Sequence, residues 1–105
     1  MKNKIFLIFI GLILSFNIFA NMTSKEKLEL AVKYSKEKKF SEAEKLYLDL
    51  IKEKNLVAMR YLAYMYSQWG KVLEEEKYYK MAADRGSKEA AVEYDFMGIL
   101  EEHNQ

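Results

Sequence analysis

One short pattern recurs along the chain: an apolar residue and an alanine, with tyrosine three positions after the alanine. It stands at Leu30-Ala31-x-x-Tyr34, Leu62-Ala63-x-x-Tyr66 and Ala90-Ala91-x-x-Tyr94, the tyrosines 32 and then 28 residues apart. A period of roughly 20–50 residues marks stacked supersecondary units, none of which can bury its apolar face alone. Here the unit is a helical hairpin. An array of hairpins presents a surface and holds no catalytic centre of its own.

The apolar spacing predicts helices throughout. Leu28, Ala31, Val32 and Ser35 fall on one helix face. Thr23 with Glu26 forms a capping box that starts this first helix near Ser24. Ser41 with Glu44 offers a second box, opening a helix with Ala43, Leu46, Tyr47, Leu50 and Ile51 inward and Asn55 as its stop. A third helix is expected over about Leu56 to Trp69, ended by Gly70, and a fourth over about Leu73 to Arg85, ended by Gly86. Ser87 caps a fifth. β-branched residues are sparse after residue 20, so no strand competes. The connections are short, which makes neighbouring helices antiparallel.

Residues 1–20 have the order of a secretory signal peptide: Lys2 and Lys4, then Ile5 to Leu14 apolar apart from Gly11, then Ser15 and Asn17 leading to Ala20. Ile18 is a poor match to the second small position of a cleavage site. The rival is a retained anchor. Ile5 to Ala20 as a helix spans about 24 Å, short of the roughly 30 Å of a hydrocarbon core, and the signal peptide is the better fit. The chain has no cysteine, hence no disulfide and no lipid-bearing cysteine.

All 16 acids lie beyond residue 20, against 15 of the 17 Lys and Arg, so the remainder is close to −1. That balance lacks the net basic face of a nucleic-acid binder and gives no reason to expect a membrane once the signal is cleaved. Residues 21–105 suffice for one small, marginally stable domain. Helix packing must hold it, with help from a partner or a second copy.

Further positions share the period. Six past each tyrosine stand Phe40, Val72 and Leu100; four past stand Lys38, Gly70 and Gly98. Tyr47 and Tyr79 follow the first two by thirteen, Leu50 and Ala82 by sixteen. This pattern resembles the tetratricopeptide repeat, with its apolar-small-x-x-Tyr first helix, Gly turn and apolar-aromatic second helix. Small residues let paired helices approach, and the tyrosine fills the space below the crossing. Met81 to Ala90 is similar to the junction of the related Sel-one-like repeat, although Trp69-Gly70-Lys71 replaces that family's Gly-x-Gly turn. The resemblance implies a short right-handed α-solenoid of about five helices and about two and a half repeats over residues 21–105. Glu75, standing where the first unit has Ala43, should loosen the second hairpin. The fifth helix should act as an end cap.

By the same resemblance, the first helix of each unit lines a concave groove. That places Lys36 with Lys25, Leu28, Val32 and Ser35 on one wall. Arg60, Tyr64, Ser67 and Gln68 follow with Val57, then Lys88 and Val92 with Asp95 and Phe96. The basic side chains could hold an acidic segment or a carboxylate. Of Tyr61, Tyr64 and Trp69, at least one must leave the core face that Tyr66 occupies. Glu74-Glu75-Glu76 cannot converge on a metal, because successive helix residues point about 100° apart. Asp49 with Glu53 suits a solvated charged face. His103 is the single histidine. No catalytic, cofactor or metal signature is present.

The expectation is an exported all-α protein, periplasmic or secreted from a bacterial cell, that binds a protein or peptide in its groove. A self-assembling envelope protein, stacking through Leu46–Ile51 or Tyr94–Leu100, is the alternative, and a small exported hydrolase the remote one.

Overall fold

Four turns of one design set the architecture. The computed structural model describes residues 21–103, with side chains to Leu100; the segment read as a signal peptide lies outside the described residues. Five helices follow one another: α1 (Ser24–Lys36), α2 (Phe40–Lys52), α3 (Leu56–Trp69), α4 (Val72–Asp84) and α5 (Lys88–His103). Each begins sixteen residues after the last. Between them Lys38, Lys54, Gly70 and Gly86 take left-handed backbone, with φ of 61°, 63°, 79° and 107°. The amide after each donates back to the carbonyl five residues earlier: Lys39 to Tyr34, Asn55 to Leu50, Lys71 to Tyr66 and Ser87 to Ala82, at 2.8–3.2 Å. This is the Schellman closure, repeated four times.

Thr23, Asn55 and Ser87 start the odd-numbered helices, and each side-chain oxygen accepts the amide three residues on, from Glu26, Ala58 and Ala90. The even-numbered helices start at Lys39 and Lys71 with no such bond. The helix period is therefore 16, and the hairpin period 32. Two expectations are corrected. Asn55 is not the stop of α2 but the cap of α3, and Lys54 makes the left-handed stop. Ser41 and Glu44 form no capping box, because α2 has already begun at Phe40 and Ser41 lies inside its first turn.

Consecutive helices pack as antiparallel pairs, and no strand occurs among the described residues. Ala31 of α1 is buried with Ala43, Tyr47 and Leu50 of α2, and that cluster continues into Ala58, Leu62 and Met65 of α3. Met59 and Ala63 of α3 join Tyr79 and Ala82 of α4 and Ala90 of α5. The alanines bring backbones close, and the tyrosines and leucines fill the space beside them. Leu46, Tyr47 and Leu50 are thus core, with Leu48 and Ile51 half-buried beside them. Nor does Glu75 loosen the second hairpin: α3 and α4 pack as extensively as α1 and α2. Its carboxyl sits half-buried at the edge of the pair, raised above the usual carboxylate range by burial and then by Glu93.

The third Ala-x-x-Tyr motif is out of register. Tyr34 and Tyr66 lie eleven residues past their caps, whereas Tyr94 lies seven past Ser87. On the 32-residue period Ala90, Tyr94 and Met97 match Ala58, Leu62 and Met65, the face turned to the preceding hairpin. The face that α3 turns to its own partner, Met59 and Ala63 with Tyr66 bridging both neighbours, becomes Ala91, Asp95 and Gly98 in α5. An aspartate and a glycine there present no apolar seat for a sixth helix.

Asp49 and Glu53 are not simply solvated. Both receive Lys27 of α1, at 3.1 and 3.8 Å, and Glu53 also accepts the Ser24 hydroxyl at 2.7 Å. Lys27 stands where α3 carries Met59, so an ion pair ties the first hairpin where an apolar contact ties the second.

Candidate functional site

Two openings of related construction lie along the odd-numbered helices. The larger, about 790 Å³, has Val32, Ser35 and Lys36 of α1 on one wall and Tyr61, Tyr64 and Gln68 of α3 on the other. Tyr47 and Phe40 of α2 close it, with Lys38 at its rim. The smaller, about 270 Å³, has Arg60, Tyr61 and Tyr64 of α3 facing Glu89 and Glu93 of α5 across Tyr79 of α4. Tyr47 and Tyr79 stand 32 residues apart, as do Val32 and Tyr64, and Tyr61 and Glu93. One cavity therefore recurs between successive first helices, each with a buried tyrosine as floor.

Local chemistry fixes the walls. Phe40 stacks on Trp69 with ring centroids 5.4 Å apart, and Trp69 stacks in turn on Tyr66 at 6.1 Å. Lys71 lies 3.8 Å over the Trp69 ring, a cation–π contact that holds the α3–α4 turn. Arg60 lies 5.1 Å over Tyr61. The Gln68 amide approaches the Tyr64 hydroxyl at 3.4 Å, and the Ser67 hydroxyl donates to the Tyr64 carbonyl at 2.6 Å. Below them, the Tyr66 hydroxyl donates to Glu44 at 2.6 Å.

Electrostatics differ between the openings. Burial pushes the Tyr47 hydroxyl up to about 12, with Tyr61 adding to it. Burial also pushes Tyr79 up to about 12, helped by Glu93 and Glu75 and opposed by Arg60. Lys36 and Lys38 give the first opening a positive rim, and neither has an acid within ion-pair distance among the described residues. Glu89 and Glu93 make the second acidic.

Of the residues expected in the groove, the structure gathers Lys36, Tyr64 and Gln68 at the first opening and Arg60 with Tyr64 at the second. Ser67 and Val92 lie on the same helix rows but line neither opening. Lys88, first residue of α5, is exposed and in register with Ser24 and Leu56, away from the groove rows. Phe40, Tyr47, Tyr61 and Tyr79 belong to the site although their spacing marks them for the core; the 32-residue recurrence of Tyr47 and Tyr79 is the signal that pairs the two floors. Tyr64 is the aromatic residue that leaves the core face, 58% exposed.

The row continues into α5. Leu28, Val32, Ser35 and Lys36 of α1 match Arg60, Tyr64, Ser67 and Gln68 of α3, and then Val92, Phe96, Ile99 and Leu100 of α5. Those four are 67, 56, 51 and 47% exposed. Val72, at the start of α4, is exposed as well and matches Phe40 of the first opening. Among the described residues no three His, Cys, Asp or Glu gather as a metal would need, and no helix is long and apolar enough to cross a membrane. No family model, no curated protein and no solved structure matches the chain.

Proposed function

We propose that this chain is an exported protein-interaction module that docks a segment of a partner protein along the row formed by α1, α3 and α5. The observation that carries the reading is where the exposed apolar side chains fall. Tyr64, Val92, Phe96, Ile99 and Leu100 occupy groove positions, Leu73 at the start of α4 being the exception outside them, while the position that would seat another hairpin on α5 holds Asp95. Apolar surface left in water at such a row is the usual mark of an interaction site. The resemblance to tetratricopeptide and Sel-one-like arrays supports it, since their first helices line a binding groove. The export setting rests on the composition of residues 1–20.

End-to-end stacking is the weaker reading. Leu46, Tyr47 and Leu50 are buried, and the outward positions of the two terminal helices carry Glu26 and Lys33 around a half-buried Leu30 on α1 and Asp95 on α5. A hydrolase reading would gain ground if activity fell in Glu74→Ala or Glu76→Ala with helicity unchanged.

Photo-crosslinking residues placed at Tyr64 and at Phe96 test the docking reading in the protein's own compartment. A shared partner should be captured at both positions, not at Lys80 outside the groove, and lost in Arg60→Glu. Equal capture at Lys80, or capture indifferent to Arg60→Glu, refutes it.

A further inference from the structure

The helices that line the groove carry a gradient of charge along the array. Ser24 to Lys39 contains six lysines and three glutamates; Lys88 to His103 contains five acids and one lysine. Between them, α3 carries Arg60 and no acid. The gradient also appears within a single row of the groove, where Lys25, Val57 and Glu89 occupy equivalent places on α1, α3 and α5. Both charged members are exposed, and Lys25 has no ion-pair partner among the described residues.

A surface that is positive at one edge and negative at the other complements itself under a two-fold rotation. The exposed side chains of Val92, Phe96, Ile99 and Leu100 amount to roughly 400 Å² on α5, the scale of a functional patch. Burial of that patch against the aromatic first opening of another copy would hide apolar surface on both sides. An axis running along α3 sets α1 of one copy against α5 of the other, twice. It brings Lys25 against Glu89, Phe96 and Leu100 against Val32 and Lys36, and the two Tyr64 side chains together at the centre, with the two Arg60 side chains, one turn away, as the one like-charged pair on the axis. Isologous closure of this kind forms a dimer and stops there.

We infer that the groove's occupant in the free protein is a second copy of this chain, held face to face by the α1 and α5 edges. The inference rests on the docking reading of the groove and names its resting partner. An incoming segment would have to displace the second copy.

Sedimentation of the full chain, expressed with its own N-terminal segment and purified as the cell leaves it, tests this. A monomer–dimer equilibrium is expected at about 50 mM salt, shifting toward monomer at about 500 mM as the facing charges are screened. Lys25→Glu and Glu89→Lys should each weaken the dimer by roughly tenfold or more, since each sets like charges in apposition. An equimolar mixture of the two variants should recover it as a heterodimer, a result that no loss of folding could mimic. A chain that stays monomeric at low salt overturns the inference, as does a dimer that neither variant weakens or a mixture that fails to recover. If the monomeric chain still captures a partner at Tyr64, the docking reading stands and only the self-pairing falls.

Discussion

Raising the pH should unfold this protein through three particular tyrosines. Tyr47, Tyr66 and Tyr79 are 2, 4 and 3% exposed. Burial pushes the hydroxyls of Tyr47 and Tyr79 up to about 12. Tyr66 is pushed up by burial and then by its hydrogen bond to Glu44. An unfolded tyrosine titrates near pH 10. Because the folded values are raised, the stability they carry is fully present below pH 10 and is lost as pH climbs through them. Each group contributes a slope of about −1.4 kcal/mol per pH unit once its unfolded form ionises and its folded form does not. Together the three approach −4 kcal/mol per unit, or on the order of 8 kcal/mol between pH 10 and 12. A domain of this size has roughly 4–12 kcal/mol to lose, so the midpoint falls near pH 11 for a stability of about 4 kcal/mol and near pH 12 for about 8 kcal/mol. Tyrosinate absorbance and far-ultraviolet circular dichroism, recorded on one titration, check this. Tyr47, Tyr66 and Tyr79 should ionise together with the loss of helicity. Tyr79→Phe should lower the slope by about 1.4 kcal/mol per unit with little effect at neutral pH. If Tyr47, Tyr66 and Tyr79 ionise near pH 10 while the helices persist, the burial argument is wrong.

Turn chemistry gives a reciprocal pair. Gly70→Ala should destabilise by about 1 kcal/mol in urea unfolding, because an L-residue resists its φ of 79° even though the added Cβ meets nothing within 4 Å. Lys38→Gly, at φ 61°, should be neutral or gain up to about 1 kcal/mol; a stabilised Gly70→Ala or a destabilised Lys38→Gly would refute the shared turn design. Lys27→Ala should cost about 1–2 kcal/mol, since it removes the buried lysine stem as well as its ion pairs to two half-exposed carboxylates, whereas Lys27→Met should cost under about 1 kcal/mol by keeping the stem's volume with the side chain that α3 uses at the same place. Equal losses in the two variants would show that the ion pair, not the volume filled, holds the first hairpin. Tyr66→Phe should cost about 1–2 kcal/mol by leaving Glu44 without its hydroxyl donor, and denaturant midpoints against the parent chain measure it.

Composition and helical spacing were enough to read five antiparallel helices, and the caps at Thr23 and Ser87 were legible because oxygen-bearing side chains announce themselves there. The turns at Lys38 and Lys54 were not, since nothing about lysine signals a left-handed backbone; Gly70 and Gly86, at the same stations, did. The misplaced third motif has a geometric cause. A shift of four residues turns a helix through about 400°, only about 40° from where it began, so an Ala-x-x-Tyr pattern looks nearly the same one turn out of register. Side-chain pattern alone therefore fixes which face is apolar, and only the chemistry of the ends fixes which residue is which. That distinction decides the site. With Tyr94 aligned to Tyr66, Phe96 and Leu100 fall opposite Gln68 and Val72. With Ser87 aligned to Asn55 and Thr23, they continue the row of Tyr64 and Gln68, and the apolar surface of α5 becomes the far end of the groove.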